Sequence, residues 1–309
     1  ETLKKYALLD SRITYKLGMH YWEKADADDR KVMDMESALT PVCYAMERKG
    51  LLLNQEYTLA GYYHEKTKLS DLSLAWKSLT GKEFVNSAKS LQSVLSFELP
   101  LTEKGNPTLT DDVIESAMSA CSTEDMSKLT LVREIRECTK RINTYYESYL
   151  NKAGRDHVIH PAMWQAGTRT GRFSYSDPNL QNIPKEEGSE APYVIRACFK
   201  PRPGYKYVSF DYSQMEYRML ADYAGESEVI RQVLDGVDFH QATADMFGVS
   251  RKFAKTLNFA ILYGAGDDKL AMMLGIPMIE ATRLRNKYFR ALPKVEKLVD
   301  DVIATGRGR

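Results

Sequence analysis

The sequence is poor in the features that mark several protein classes. Its 309 residues hold only 4 Cys, at positions 43, 121, 138 and 198. None pairs as C-x-x-C, so neither a zinc site nor a disulfide framework is indicated. Scattered single thiols fit a reducing compartment. No run of about 18 apolar residues occurs, which excludes a spanning helix in this stretch. There is no excess of one charge: 43 Lys and Arg face 42 Asp and Glu, for a net charge of +1. A protein that coats DNA by global basicity is disfavoured, although local basic patches are not. No G-x-x-x-x-G-K-[ST] pattern is present, and GAGDDK does not complete G-x-G-x-x-G. P-loop and dinucleotide-binding folds are thereby disfavoured. The first residues, ETLKKYALLD, carry neither Met nor a signal pattern and read as the middle of a helix, so a fragment is expected.

What is present divides by texture. Residues 1–23 read as helix, followed by an acidic stretch, EKADADDRK, expected to be a linker. Helical periodicity covers 31–78, with a stop at Gly50 and a short strand over Leu51 to Leu53. A long amphipathic helix should end at Gly81, a further helix should be capped by Asn86 or Ser87, and another should start near Thr110. ELPLTEKGNPTLT reads as an exposed loop, and 125–150 as helix. From about 157 to 184 the sequence turns to strand and loop, and helices return from Glu226.

Four stretches carry candidate chemistry. In VSFDYSQMEYRML, strand formers from Tyr207 to Phe210 lead to Asp211, and a helical pattern follows with a second acid at Glu216. Asp211 or Ser213 serves as a helix N-cap in the plain reading. In the sharper one Asp211 is a carboxylate delivered at a strand end to a divalent metal. In RKFAKTLNFAILYGAG, Arg251, Lys255, Phe259 and Tyr263 recur every four residues, drifting about 40° per step on a helix. A buried face would not align Arg and Lys with its aromatics, and a solvated face has no use for Phe. Holding phosphates at one end and stacking a base or sugar at the other uses both. TRTGRFSYSDPNLQNIP, 168–184, has the composition of an ordered polar loop for phosphates, sugars or base edges; a plain surface loop is the alternative. YALLD sets Tyr6 and Asp10 one turn apart, a spacing that can hold a metal-bound water but is common by chance, and His240 is a lone His on a helix, a position more often structural than catalytic.

Taken together and in order, these stretches resemble the family A DNA polymerases, the bacterial polymerase I and phage-type enzymes. TGRFSYSDPNLQNIP looks like the family's loop near primer and template, DYSQMEYRMLA like the first palm motif, and RKFAKTLNFAILYG like the fingers helix. Weaker likeness extends to FVNSAKSLQSVL, TDDVIESA and REIRECTKRINTYY in the thumb, and YALLDSRITYKL is similar to the last motif of the 3′–5′ exonuclease domain.

The resemblance implies an α+β multidomain fold of right-hand architecture, with a helical thumb, a partial antiparallel β palm and helical fingers. It implies an exonuclease remnant over 1–28, mostly thumb over 29–140, the first part of the palm over 141–225, and fingers over 226–309. The implied reaction is template-directed DNA synthesis: nucleotidyl transfer from a dNTP to a primer 3′-hydroxyl with two Mg²⁺ ions. The competing reading is a primer–template-binding module without catalysis. By resemblance Asp211 and the Tyr212 carbonyl bind metal, and Glu216 is the steric gate against a ribose 2′-hydroxyl. Gln214, His240, Arg251, Lys255, Phe259 and Tyr263 meet the incoming dNTP. Arg136, Lys140, Arg172, Asn179, Gln181 and Asn182 meet primer–template DNA, and Tyr6 and Asp10 belong to the exonuclease remnant. The resemblance further implies a cytoplasmic location, nucleoid-associated or phage-encoded in a bacterial host, and no membrane partner. The family's palm carries a second carboxylate in a His-Asp-Glu motif, and no HDE occurs in the sequence. A missing C-terminal palm segment is therefore expected as a further partner, with no activity in the isolated piece.

Overall fold

The computed structural model describes residues 2–184 and 192–307. It divides into two compact units, one up to Tyr207 and one from Val208. Helices dominate both, and the sheets are small and antiparallel. Among the described residues no helix is long and apolar enough to cross a membrane.

The first unit opens with α1 (Thr2–Lys24), which buries none of its residues. The expected first helix begins at Glu1, which lies outside the described residues. The acidic stretch after it is not a linker. Asp26 caps α2 (Ala27–Lys49) by accepting from the backbone N–H groups of Asp28 and Asp29, while the Asp29 carboxylate accepts from the Asp26 N–H. This reciprocal cap satisfies orphan donors of the first turn, so the acids start a helix instead of spacing two apart. At Gly50, φ is 57°, and a Cβ there would lie 2.5 Å from the Ile159 carbonyl oxygen, so only glycine lets the chain turn so close to its neighbour. The turn delivers β1 (Leu51–Leu52) to pair antiparallel with β2 (Val158–Ile159).

Next comes α3 (Gln55–Thr80), ended by Gly81 in the left-handed conformation. Ser87, not Asn86, caps α4 (Ala88–Gln92); the Asn86 amide oxygen instead accepts from Arg136 Nε at 2.8 Å. Thr110 caps α5 (Asp111–Met118) and Ser122 caps α6 (Thr123–Lys140). The helix expected over 125–150 is continuous but not uniform: a π-helical stretch, Arg141–Glu147, joins α6 to α7 (Ser148–Lys152). Leu129, Val132 and Ile135 of α6 close a core with Trp76, Leu91 and Ile114. Tyr145, Tyr146 and Tyr149 close another with Leu53, Ile159, Ile195 and Cys198. Gly61 of α3 lets the Tyr146 ring come close to the helix; a Cβ there would meet it at 2.7 Å. A buried network backs this contact. The Glu65 carboxylate accepts from Arg141 Nε at 2.7 Å, the Cys138 thiol lies 3.1 Å from Glu65, and Arg141 also donates to the Tyr193 carbonyl. A second sheet pairs β3 (Ala162–Trp164) with β4 (Ser174–Ser176).

The second unit has no strand among its described residues. The strand expected over Tyr207 to Phe210 is not formed: the segment shares no ladder with any described residue, and Val208 and Phe210 are 70% and 90% exposed. A strand is defined by the ladder it shares, and apolar β-formers alone do not supply one. The unit is built from α8 (Met215–Ala224), α9 (Ser227–Leu234), α10 (Phe239–Phe247), α11 (Arg251–Leu262), α12 (Asp267–Leu274), α13 (Met278–Ala291) and α14 (Pro293–Arg307). Tyr217 and Leu220 of α8, Leu257 and Ile261 of α11, Leu270, Tyr288, Phe289 and Val295 form one core.

Candidate nucleotide and nucleic-acid site

The second unit assembles its site around α11. Ser250 caps this helix by accepting from the Phe253 N–H. Ala254, Leu257, Asn258 and Ile261 are buried, which turns Arg251, Lys255 and Phe259 outward, with Tyr263 just past the helix end. The stripe is physically continuous. Lys255 Nζ stands 6.0 Å over the Phe259 ring, and Phe259 stacks on Tyr263 with centroids 6.2 Å apart and planes 15° from parallel. The aromatic faces are thus pre-ordered on the helix surface, as a stacking platform requires.

Two neighbouring helices supply the rest. Asp238 caps α10, its Oδ1 accepting from the N–H groups of His240 and Gln241 at 2.9 and 3.2 Å. Its Oδ2 accepts from Arg251 Nε and NH2 at 2.9 and 2.6 Å. Despite the cost of burial, these bonds hold the Asp238 carboxyl below the usual carboxylate range. His240 is buried, and its ring centroid is 5.7 Å from that of Phe259. Its Nδ1 lies 2.9 Å from the Asn258 amide nitrogen, so Nδ1 accepts and the proton of the neutral ring sits on Nε2. Burial, aided by the Arg251 and Lys255 charges and opposed by Asp238, lowers the His240 pKa below 6.5.

Glu216 lies in the first turn of α8, and its Oε1 accepts from the Tyr263 hydroxyl at 2.9 Å. Gln214 adopts the left-handed conformation just before α8, and its side-chain oxygen accepts from the Phe239 N–H at 3.1 Å. Gln214, Glu216, His240, Arg251, Lys255, Phe259 and Tyr263 thus belong, with Asp238 and Phe239, to one hydrogen-bonded and stacked cluster. Asp238 and Asn258, which hold Arg251 and His240, were not singled out from the sequence. The signal was available: Asp238 opens a D-x-H-Q helix start, where an acid is the preferred cap. The Asn258 contact, across 18 residues, carries no local signal.

Asp211 and Tyr212 are exposed on the irregular segment before α8. Among the described residues no group of three or more His, Cys, Asp or Glu could hold a metal ion. One carboxylate and a backbone carbonyl are hard oxygen donors. They fit a divalent ion whose remaining positions are filled by substrate phosphates and water, not one enclosed by protein.

The remaining candidates lie in the first unit. Arg136 and Lys140 line a groove of about 590 Å³ on α6 that also holds Arg133, Asn86, Asp111 and Glu137. Burial lowers the pKa of Arg136, whose NH1 donates to the Leu109 carbonyl at 2.7 Å. In the loop at 168–184, polar side chains largely bond the loop itself. Asn179 accepts from the Gln181 N–H at 3.0 Å and Gln181 Nε2 donates to the Phe173 carbonyl at 2.8 Å, whereas the Asn182 backbone carbonyl accepts from the Tyr145 hydroxyl, outside the loop, at 2.9 Å. Arg172 is exposed there, with its carbonyl bonded by Thr168. Tyr6 and Asp10 are both exposed on α1.

Comparison with known proteins bears on the whole chain. The sequence profile of DNA polymerase family A matches residues 61–309. DNA polymerase I, thermostable, of Thermus thermophilus is 35% identical over 89% of the chain and 34% of its own length. DNA polymerase I of Caldicellulosiruptor bescii is 32% identical over 89% of the chain and 33% of its own length. The chain therefore spans about a third of the curated relatives it matches. Among solved structures, the POL domain of Pol1 from M. smegmatis, in complex with DNA primer-template and dNTP, superposes with a TM-score of 0.78 at 26% identity. That match covers 88% of this chain and 50% of the other. With a profile match over most of its length and relatives above 30% identity, the chain belongs to DNA polymerase family A.

Proposed function

We propose that this chain grips primer–template DNA and receives the incoming deoxynucleoside triphosphate of a template-directed DNA polymerase, in which the primer 3′-hydroxyl attacks the α-phosphorus of the dNTP, takes its nucleotidyl group and releases pyrophosphate. The observation that carries the reading is the α11 stripe, two cations followed by two stacked aromatics, tied through Tyr263 to Glu216. Arg251, Lys255 and the His240 Nε2–H are donors for a triphosphate. Phe259 and Tyr263 offer faces for sugar and base, and Glu216 crowds the sugar edge. Gln214 anchors the start of α8 to α10. Positioning and charge neutralisation are what phosphoryl transfer asks of a protein. The DNA and dNTP bound by the solved relative support the same ligands here.

In the same reading, thumb lies within 29–140, the first part of the palm within 141–225 and fingers within 226–309. Arg136, Lys140, Arg172, Asn179, Gln181 and Asn182 face the DNA. Asp211 and the Tyr212 carbonyl would hold Mg²⁺, and two such ions would supply charge stabilisation for the displacement at phosphorus. That no group of three or more His, Cys, Asp or Glu among the described residues could hold a metal ion supports a second reading, a primer–template-binding module without catalysis.

Primer extension with Mg²⁺ and gel-shift binding on the 309-residue chain separate the two. Extension that is lost in Asp211→Asn supports catalysis. Salt-sensitive binding of primer–template without extension supports the binding module. Absence of both sinks the proposal.

A further inference from the structure

The carboxylate of Asp238 has two oxygens and each has a separate task. Oδ1 takes the first free N–H groups of α10, those of His240 and Gln241, which fixes the carboxylate to the helix end. Oδ2 takes Nε and NH2 of Arg251, a side-on grip that occupies one edge of the guanidinium. A guanidinium carries five donors in a rigid plane, so gripping one edge leaves NH1 and the far edge aimed in a fixed direction. The same carboxylate thereby sets the place of the His240 backbone and of the Arg251 head group. Asn258 fixes the His240 ring from α11, leaving its Nε2–H as the remaining donor.

We propose that Asp238 is a positioning residue for the incoming nucleotide: it holds Arg251 ready for a triphosphate oxygen. The inference rests on the reading of the α11 stripe given above. Arg251 is half exposed, and without Asp238 its long side chain would have to be ordered by the ligand itself. Ordering one such side chain on binding costs roughly three- to tenfold in affinity. An acid beside a phosphate site also repels the ligand. Salt at 0.15 M, with a Debye length of about 8 Å, weakens that repulsion only in part and does not restore lost pre-ordering. At this salt the loss of order outweighs the relief of repulsion.

The test uses the 309-residue chain with a dideoxy-terminated primer on a template offering T, Mg²⁺ and 0.15 M KCl. The dissociation constants of dATP and of primer–template, and the melting temperature, are measured for the wild type, Asp238→Asn, Asp238→Ser, Arg251→Ala and Asp238→Asn/Arg251→Ala. Serine keeps an N-cap oxygen, so a loss shared by Asn and Ser is not a capping effect. The expected result is dATP binding about fivefold weaker in both Asp238 variants, with primer–template affinity unchanged. In the Arg251→Ala background, Asp238→Asn should add no further loss. Asp238 variants that bind dATP as tightly as the wild type or tighter, while Arg251→Ala weakens it, overturn the inference and leave the proposed function standing. A loss from Asp238→Asn that persists without Arg251 also overturns it, since that assigns the effect to α10 itself. A wild type that binds primer–template and no dATP overturns the functional reading and this inference with it.

Discussion

The Tyr263 hydroxyl donates to the Glu216 carboxylate at 2.9 Å, joining the end of α11 to the first turn of α8 across 47 residues of sequence. The bond ties the acid to the Tyr263 ring, which itself stacks on Phe259. If Glu216 guards the sugar, its shape matters and so does its anchor. Glu216→Ala is expected to bring the affinities for ATP and dATP, opposite T on a terminated primer, to within a few-fold of each other. Tyr263→Phe, which frees the carboxylate without removing it, should narrow the gap less. Unchanged ratios in both variants would remove Glu216 from sugar selection.

Lys255 and Lys252 are both exposed on α11, but only Lys255 shares the face of Arg251, since Lys252 points about 100° away. Lys255→Ala is expected to weaken dATP binding roughly tenfold, the scale of one charge-assisted hydrogen bond partly screened by water. Lys252→Ala should change it less than twofold. Titration of both variants under the same salt decides the matter, and equal losses would refute the assignment by helix face.

His240 should make stability pH-dependent near neutrality. Its folded pKa lies below 6.5, so in the window just under 6.5 the unfolded chain binds the proton more readily than the folded one. Stability is then full above that value and declines as pH falls, until the folded histidine itself protonates. The melting temperature of the wild type is expected to drop between pH 7.5 and 5.5. In His240→Asn that drop should be shallower. A steeper drop in the variant would mean that the folded histidine is charged.

The buried pair Glu65–Arg141 predicts a large effect of a small change. Glu65→Gln removes the carboxylate charge that the Arg141 guanidinium, 11% exposed, meets at 2.7 Å. Breaking one side of a buried pair costs about 3 kcal/mol, readable as a lower urea midpoint. The neighbouring Cys138 thiol, pushed up to about 12 chiefly by burial, should stay unreactive to iodoacetamide in the native chain at pH 8, whereas the half-buried Cys121 reacts first.

The sequence revealed most where local chemistry decides. The caps at Thr110 and Ser87 and the stops at Gly50 and Gly81 follow from rules that act within a turn, and the α11 stripe follows from helical spacing alone. It misled where partners decide. Tyr207 to Phe210 has the composition of a strand but no described strand to pair with. The acids at 26–29 look like a linker until their side chains are seen closing a capping box. The sequence shows Arg251 in the helical stripe and His240 on a helix, but not the residues that hold them. A polar residue such as Asn258 looks the same in sequence whether it faces water or a buried imidazole.

The π-helical stretch between α6 and α7 has a mechanical consequence. A wide turn accommodates an extra residue within one unbroken rod, so the side chains beyond it are rotated relative to those before it. Leu129, Val132 and Ile135 face one core, and Tyr145, Tyr146 and Tyr149 another. The rod works like a camshaft with two lobes set at different angles, and the phase between them is fixed by the count of residues from Arg141 to Glu147. Deleting a single residue there would leave every hydrophobic side chain in place in the sequence and turn one whole lobe about 100° away from its core.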